Sequence, residues 1–147
     1  MTTPTIYRAT ITPRWADVDA NGHLRHSAYA DWATFVRTEW LYELGLTLRK
    51  LTALRIVPIT QEETTKYSKE ILLGEKIEVD LALAGSSADA SWFVHRLHFR
   101  RGETLCARYE MKGAWMDIEK RRIAAPPPDV VQAISTLART SDYVDLE

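Results

Sequence analysis

The sequence predicts an α+β fold in which one long helix is wrapped by a curved antiparallel sheet of about five strands. Three observations predict it. Residues 27–45 carry the apolar period of a helix without interruption. Segments before and after them alternate with the period of a strand. The strand-like segments after the helix follow one another with no second long helix between them, which argues against a doubly wound parallel sheet.

Residues 5–15 read as the first strand. Tyr7, Ala9, Ile11 and Trp15 share one parity, Arg8, Thr10, Thr12 and Arg14 take the other, and Pro13 marks an edge or a bend. In the helix, Tyr29, Trp32, Ala33, Val36, Trp40 and Leu44 form the apolar stripe. Ser27 is the expected N-cap and Gly45 the expected C′ residue. Phe35 and Leu41 widen the stripe, so the helix is expected to be enclosed by the sheet. Residues 55–69, 76–84, 91–100 and 104–118 read as four more strands. The last two form a hairpin about Gly102, and their apolar faces share odd numbers. Phe99 is therefore expected opposite an odd residue such as Leu105, through a loop with an odd number of residues. The other face carries Arg96, Arg100, Arg108 and Lys112. Pro126-Pro127-Pro128 is a stiff break. A short surface helix is expected over 129–137 and a loose polar tail over 139–147, all within a single domain spanning 1–147.

Composition narrows the function classes. The 147 residues are 46% hydrophobic and 27% charged, with a formal net charge of −1. Those are ordinary globular values, and the balance points to neither nucleic acid nor an anionic membrane. No apolar run approaches the ~18 residues of a membrane helix, and the N-terminal segment lacks the apolar region of a secretory signal. The single cysteine, Cys106, has no intrachain partner, which fits a reducing compartment. A cytoplasmic protein without membrane insertion is expected. An isolated sheet layer would leave edges and one face unsatisfied, so a homodimer or homotetramer is expected too.

Reactive groups concentrate in one stretch, Arg14 to Tyr29. It holds Asp17, Asp19, Gly22, His23 and His26 at the joint between the first strand and the helix. Gly22 permits positive φ or close backbone approach. The first-turn N–H groups of a helix lack intrahelical partners and suit a developing oxyanion. Asp19 can attack a carbonyl, activate a water, or simply hydrogen-bond its own loop. Asp17 reads as a loop anchor. His23 and His26 could ligate a metal with Asp19, but no Cys/His pair elsewhere completes a site, so neither a metal nor another cofactor is expected. His26 can instead orient substrate, and Tyr29 can line an acyl slot. His95 reads as a satisfied core histidine, Glu62 and Glu63 as solvated or as a second acid reaching across an interface. The basic face of the hairpin reads as solvated or as a contact for phosphates.

Asp17-Val18-Asp19-Ala20-Asn21-Gly22, then His26, Tyr29 and Arg37-Thr38-Glu39-Trp40-Leu41, resembles the hotdog-fold acyl-CoA thioesterases of the 4-hydroxybenzoyl-CoA thioesterase type. The close match covers about a fifth of the chain without a gap, and the element order agrees over nearly all of it. The resemblance implies a hotdog fold and hydrolysis of an acyl-CoA or acyl-carrier thioester. It implies Asp19 as the catalytic carboxylate and the backbone N–H near His26 as the oxyanion donor. Gly22, His23, Arg25 and Tyr29 become candidate substrate-binding residues. Arg25 stands where the family often has an aromatic residue, Ser27-Ala28 where many members have a Pro-Asn or Asn-containing pair, and Thr34 where a glutamate is common. The alternatives are a non-catalytic acyl-CoA binding or sensing module, and an enoyl-thioester hydratase on the same fold, whose different histidine motif is not found.

Overall fold

The computed structural model describes residues 3–147; the first two residues of the expected 1–147 domain lie outside it. The chain runs β1 (Tyr7–Ile11), a 3-10 turn (Trp15–Asp17), α1 (Ala28–Glu43), α2 (Leu48–Ala53), β2 (Ile56–Tyr67), β3 (Ile77–Ser87), β4 (Trp92–Arg101), β5 (Thr104–Asp117), β6 (Arg122–Ile123), α3 (Pro128–Ile134) and β7 (Arg139–Leu146). The main sheet order is β1-β3-β4-β5-β2, with β7 beside β3 and β6 beside β5. This is the expected hotdog arrangement, a curled sheet around one principal helix.

The core lies where odd-numbered strand residues meet one face of α1. Val79 and Leu81 of β3, Leu97 and Phe99 of β4, and Tyr109 and Met111 of β5 are buried with Ala33, Val36 and Trp40 of the helix. The helix is enclosed on that side alone. Phe35 and Tyr42 remain exposed, contrary to the expectation of a helix wrapped around its circumference. At its C-terminus Gly45 has φ +79°. The Leu46 N–H bonds Leu41 O at 2.8 Å and the Gly45 N–H bonds Tyr42 O at 2.9 Å, the paired bonds of a Schellman motif. At the other end Ser27 caps nothing with its side chain, because its hydroxyl accepts from Arg25 Nη1 at 2.6 Å.

The opposite sheet face is a charge ladder rather than a bare basic surface. Asp80 meets His98 and Arg100 at 3.2 Å each, and Glu110 meets Arg96 at 2.8 Å and Arg108 at 3.2 Å. Lys112 lies over the Trp92 ring. Opposite charges directly across neighbouring strands stabilise the sheet and neutralise each other. The four cations thus have local partners.

The hairpin solves its parity problem differently from the expectation. Arg101 pairs with Thr104, so the turn has two residues, Gly102 and Glu103. Arg100 pairs with Leu105, but Phe99 pairs with Ala107, leaving Cys106 as the extra residue of a β-bulge. The bulge flips the parity that an even turn would have spoiled, and both apolar faces stay inside. Its carbonyl is also used: Cys106 O accepts from Ser68 N and Lys69 N at 2.8 and 3.0 Å, holding the chain that leaves β2.

The C-terminal segment is a strand, not a loose tail. β1 pairs with residues 77–81 of β3, and β7 takes the same edge from Leu83 to Ser87, running parallel to β3. Thr5 and Leu137 bridge the two, and Asp142 reaches Arg96 at 2.7 Å. The short first strand leaves half of the β3 edge open, and backbone pairing there holds residues whose side chains show no strong apolar pattern.

Gly113 is required by close approach. A Cβ added there would stand 2.5 Å from Ile59 O and 2.8 Å from the Met111 methyl. Gly113→Ala is expected to lower stability by about 1–3 kcal/mol, measured by urea denaturation with an unchanged slope.

Candidate functional site

The loop between β1 and α1 is a small hydrogen-bonded platform. Asp19 N bonds His23 O at 2.9 Å and Gly22 N bonds Asp19 O at 3.0 Å. Gly22 sits at φ +74°, where a side chain would strain the backbone. The platform is fastened to the segment before β3: Leu24 N bonds Ile71 O at 2.7 Å and Leu73 N bonds Gly22 O at 3.2 Å. His23, half-buried, forms a bridge with Leu72.

The two aspartates divide into different roles. Asp17 is 3% exposed. Its oxygens accept from Arg14 N, Nε and Nη2 at 2.9, 3.0 and 3.1 Å, and the Arg14 guanidinium holds its carboxyl below the usual aspartate value of 3.8. It is a loop anchor. Asp19 is exposed. Its Oδ1 accepts from Asn21 N at 2.9 Å and His23 N at 3.2 Å, while Oδ2 accepts no hydrogen bond from the described residues. The loop thus orients one oxygen and leaves the other open. A self-bonded turn and an open carboxylate oxygen coexist in this geometry.

His26 is exposed just before α1. Among the described residues nothing accepts from its backbone N–H, and its carbonyl accepts from the Tyr67 hydroxyl at 3.4 Å. Arg25 crosses the same corner, bonding Ser27 Oγ and Ala16 O at 2.6 and 3.3 Å and lying 3.8 Å from Asp31. Tyr29 is 3% exposed, edge-on to Tyr67 and Phe99 at 5.0 and 5.4 Å. Burial pushes its phenol up to about 12, so it stays neutral beneath the corner. Asp19, Gly22, His23, Arg25, His26 and Tyr29 therefore fall on one loop-and-helix corner. The arrangement offers an open carboxylate oxygen and a free N–H at a helix entrance, the two charges a carbonyl addition needs.

Residues 13–134 match the Thioesterase-like superfamily. The chain belongs to this superfamily. No curated protein sequence matches it. Solved structures share the fold. A hypothetical protein from Staphylococcus aureus, crystallised with CoA, is 24% identical with a TM-score of 0.83, over 92% of this chain and 85% of that one. A 1,4-dihydroxy-2-naphthoyl-CoA thioesterase from Synechocystis is 17% identical with a TM-score of 0.79, over 89% and 96%. A DHNA-CoA thioesterase from Staphylococcus aureus is 19% identical with a TM-score of 0.79, over 88% and 89%.

Away from this corner, three residues show more than the sequence reading gave. His95 is buried, between Phe93 and Trp40 at 4.6 and 5.4 Å, but its Nδ1 has no partner. It is a core histidine left unsatisfied, and burial holds its pKa well below 6.5. Glu63 accepts from the Tyr109 hydroxyl at 2.5 Å. Arg37, in the motif at the end of the resemblance, points into the interior, and burial lowers its pKa. Tyr67 carries no sequence signal for its place at the His26 carbonyl, since it arrives from β2 across the fold. Among the described residues no group of three His, Cys, Asp or Glu side chains is placed to hold a metal, and no helix is long and apolar enough to cross a membrane.

The Asp17 anchor gives a pH test. Its folded-state pKa lies below 3.8, so its contribution is present above that value and lost as the pH falls through the folded-state value. Asp17→Asn is expected to lower the melting temperature at neutral pH. The gap to the unaltered chain closes below pH 3.8, read by thermal denaturation across pH 2–7.

Proposed function

We propose that this chain hydrolyses an acyl-CoA or acyl-carrier thioester to a free acid and a thiol. One observation carries the reading: the exposed Asp19 carboxylate, held through Oδ1 with Oδ2 open, shares a corner with the unpaired His26 N–H. Membership of the superfamily supports it. A thioester carbonyl placed there would have its oxygen directed to the His26 N–H and its carbon to Asp19 or to a water that Asp19 deprotonates. As negative charge develops on the oxygen, the N–H and the helix dipole stabilise it. The thiolate then leaves, which is easier than loss of an alkoxide because a thiol is the stronger acid. Where Asp19 itself attacks, a water then cleaves the acyl–Asp19 anhydride to release the free acid and restore the carboxylate.

The finer assignments are proposals of the same kind. Asp19 is the base or nucleophile and the His26 amide is the oxyanion donor. Gly22, His23, Arg25 and Tyr29 shape the substrate side, with Arg25 the cation nearest the corner. The aspartate loop and its helix support the 4-hydroxybenzoyl-CoA type. The CoA-bound neighbour and the neighbours named as aryl-CoA thioesterases make aromatic CoA esters the first to assay. The working unit is a homodimer or homotetramer, supported by β2 lying unpaired along one sheet edge. The buried free thiol of Cys106 fits a cytoplasmic setting.

Thiol release is measured over aryl- and acyl-CoA esters of varied length. Asp19→Asn is expected to cut kcat by about 10²–10⁴-fold with the melting curve preserved. Full activity in that variant overturns the assignment, and tight CoA-ester binding without thiol release favours the sensing module. His26→Ala keeps the backbone donor and is expected to retain most of kcat, within about tenfold.

A further inference from the structure

The cations of the sheet's outer face meet carboxylates, but those at one end of the fold do not. Lys120-Arg121-Arg122 is the only run of three cations in the sequence. It makes the turn from β5 into β6, with Arg122 in register with Asp117, and all three residues are exposed. Arg55 stands beside the turn, its carbonyl accepting from Ile118 N at 2.9 Å. The two carboxylates at this end are already engaged. Asp117 Oδ1 accepts from Glu119 N and Lys120 N at 2.9 and 2.8 Å, and Glu119 accepts from Arg55 Nη1 at 3.1 Å. Among the described residues Lys120, Arg121 and Arg122 form no ion pair.

Two residues of this cluster hold backbone conformations that suit glycine. Arg55 has φ +62° and Arg121 φ +55°. Arginine at both positions brings charge that the local fold does not need. Like charges crowded together repel one another, so the cluster calls for an anion from outside the chain. Adjacent cations on one tight turn make a compact surface, suited to a phosphate group rather than to an extended acidic helix.

Strand β2 connects this end to the Asp19 corner. Arg55 immediately precedes Ile56 at its start, and Tyr67 at its end donates to the His26 carbonyl. Its twelve residues cover up to about 40 Å, more than one coenzyme A molecule spans. A second copy removes that gap. A two-fold axis normal to the sheet pairs the open β2 edge with its own copy in antiparallel sense. The Ile56 end of each protomer then comes to the Tyr67 end of the other, and the basic turn of one chain lies beside the Asp19 corner of its partner.

We propose that the two protomers share a coenzyme A site, with the thioester at one chain's Asp19 corner and the coenzyme's phosphates on the partner's Arg55, Lys120, Arg121 and Arg122. The inference rests on the thioester and dimer readings above. It adds the residues that select a coenzyme A ester over a thioester without phosphates.

The test reads binding, so it stands whether or not thiol is released. Coenzyme A and phosphate-free pantetheine are titrated into the full chain by calorimetry. Saturable binding of coenzyme A is expected, tighter than that of pantetheine by about tenfold or more and weakened by salt. Lys120→Gln, Arg121→Gln and Arg122→Gln combined fall on an exposed turn and are expected to erase that preference with the melting curve preserved. The partner's share is tested with Asp19→Trp, which fills the corner and leaves the basic turn intact. Neither this variant nor the triple variant is expected to bind coenzyme A tightly alone. Co-expressed, they are expected to regain about one tight site for every four protomers. Four results each overturn the proposal: coenzyme A bound no better than pantetheine, a preference that survives the triple variant, no tight sites regained on co-expression, or a monomer in sedimentation. Coenzyme A binding as expected with no thiol release overturns the hydrolysis reading alone.

Discussion

Burial of one face of α1 against the odd-numbered residues of β3, β4 and β5 is the constraint on which the rest depends. Ala33, Val36 and Trp40 meet Leu97, Phe99 and Tyr109 in a single core. A strand shifted by one residue would turn its whole apolar set outward, so every local irregularity is subordinate to this contact. The Cys106 bulge shows it most clearly. A two-residue turn alone would have mismatched the hairpin faces, and one extra residue restores them. The bulge costs a regular pair of hydrogen bonds and preserves the burial of Phe99 and Ala107, the larger effect.

The same contact sets both ends of the helix to different tasks. At its N-terminus the chain arrives through a loop that pairs with the segment before β3, so Asp19 is presented on a platform rather than on a mobile turn. Asp17 is spent on that platform through Arg14, which separates two carboxylates only two residues apart in sequence into one buried and one exposed. Toward the C-terminus Trp40 packs on His95 of β4, and a cavity remains between α1, the sheet, α3 and β7. The fold thus concentrates charge at one end of α1 and apolar volume at the other.

Charge on the outer face follows a simpler rule. The hairpin's cations looked like a basic surface when only one strand pair was considered. Asp80 on β3, Glu110 on β5 and Asp142 on β7 each meet them across the sheet. Cross-strand neighbours come from distant parts of the chain, so alternation within one strand cannot show whether a charged face is balanced.

The sequence by itself determined the α+β class, the long helix with its glycine stop at Gly45, the four later strands and the concentration of reactive residues between Asp17 and Tyr29. These are local patterns: a 3.6-residue period, a two-residue period and turn-forming residues act over a few positions. Tertiary structure alone decided the rest. Residues 139–146 became a strand because the β3 edge beyond β1 was open, a vacancy far away in sequence. His95 Nδ1 proved to be without a partner because Trp40 of α1 packs on its ring from a distant part of the chain. Long-range backbone pairing and the electrostatics of burial depend on what the folded chain brings together, and no local pattern records that.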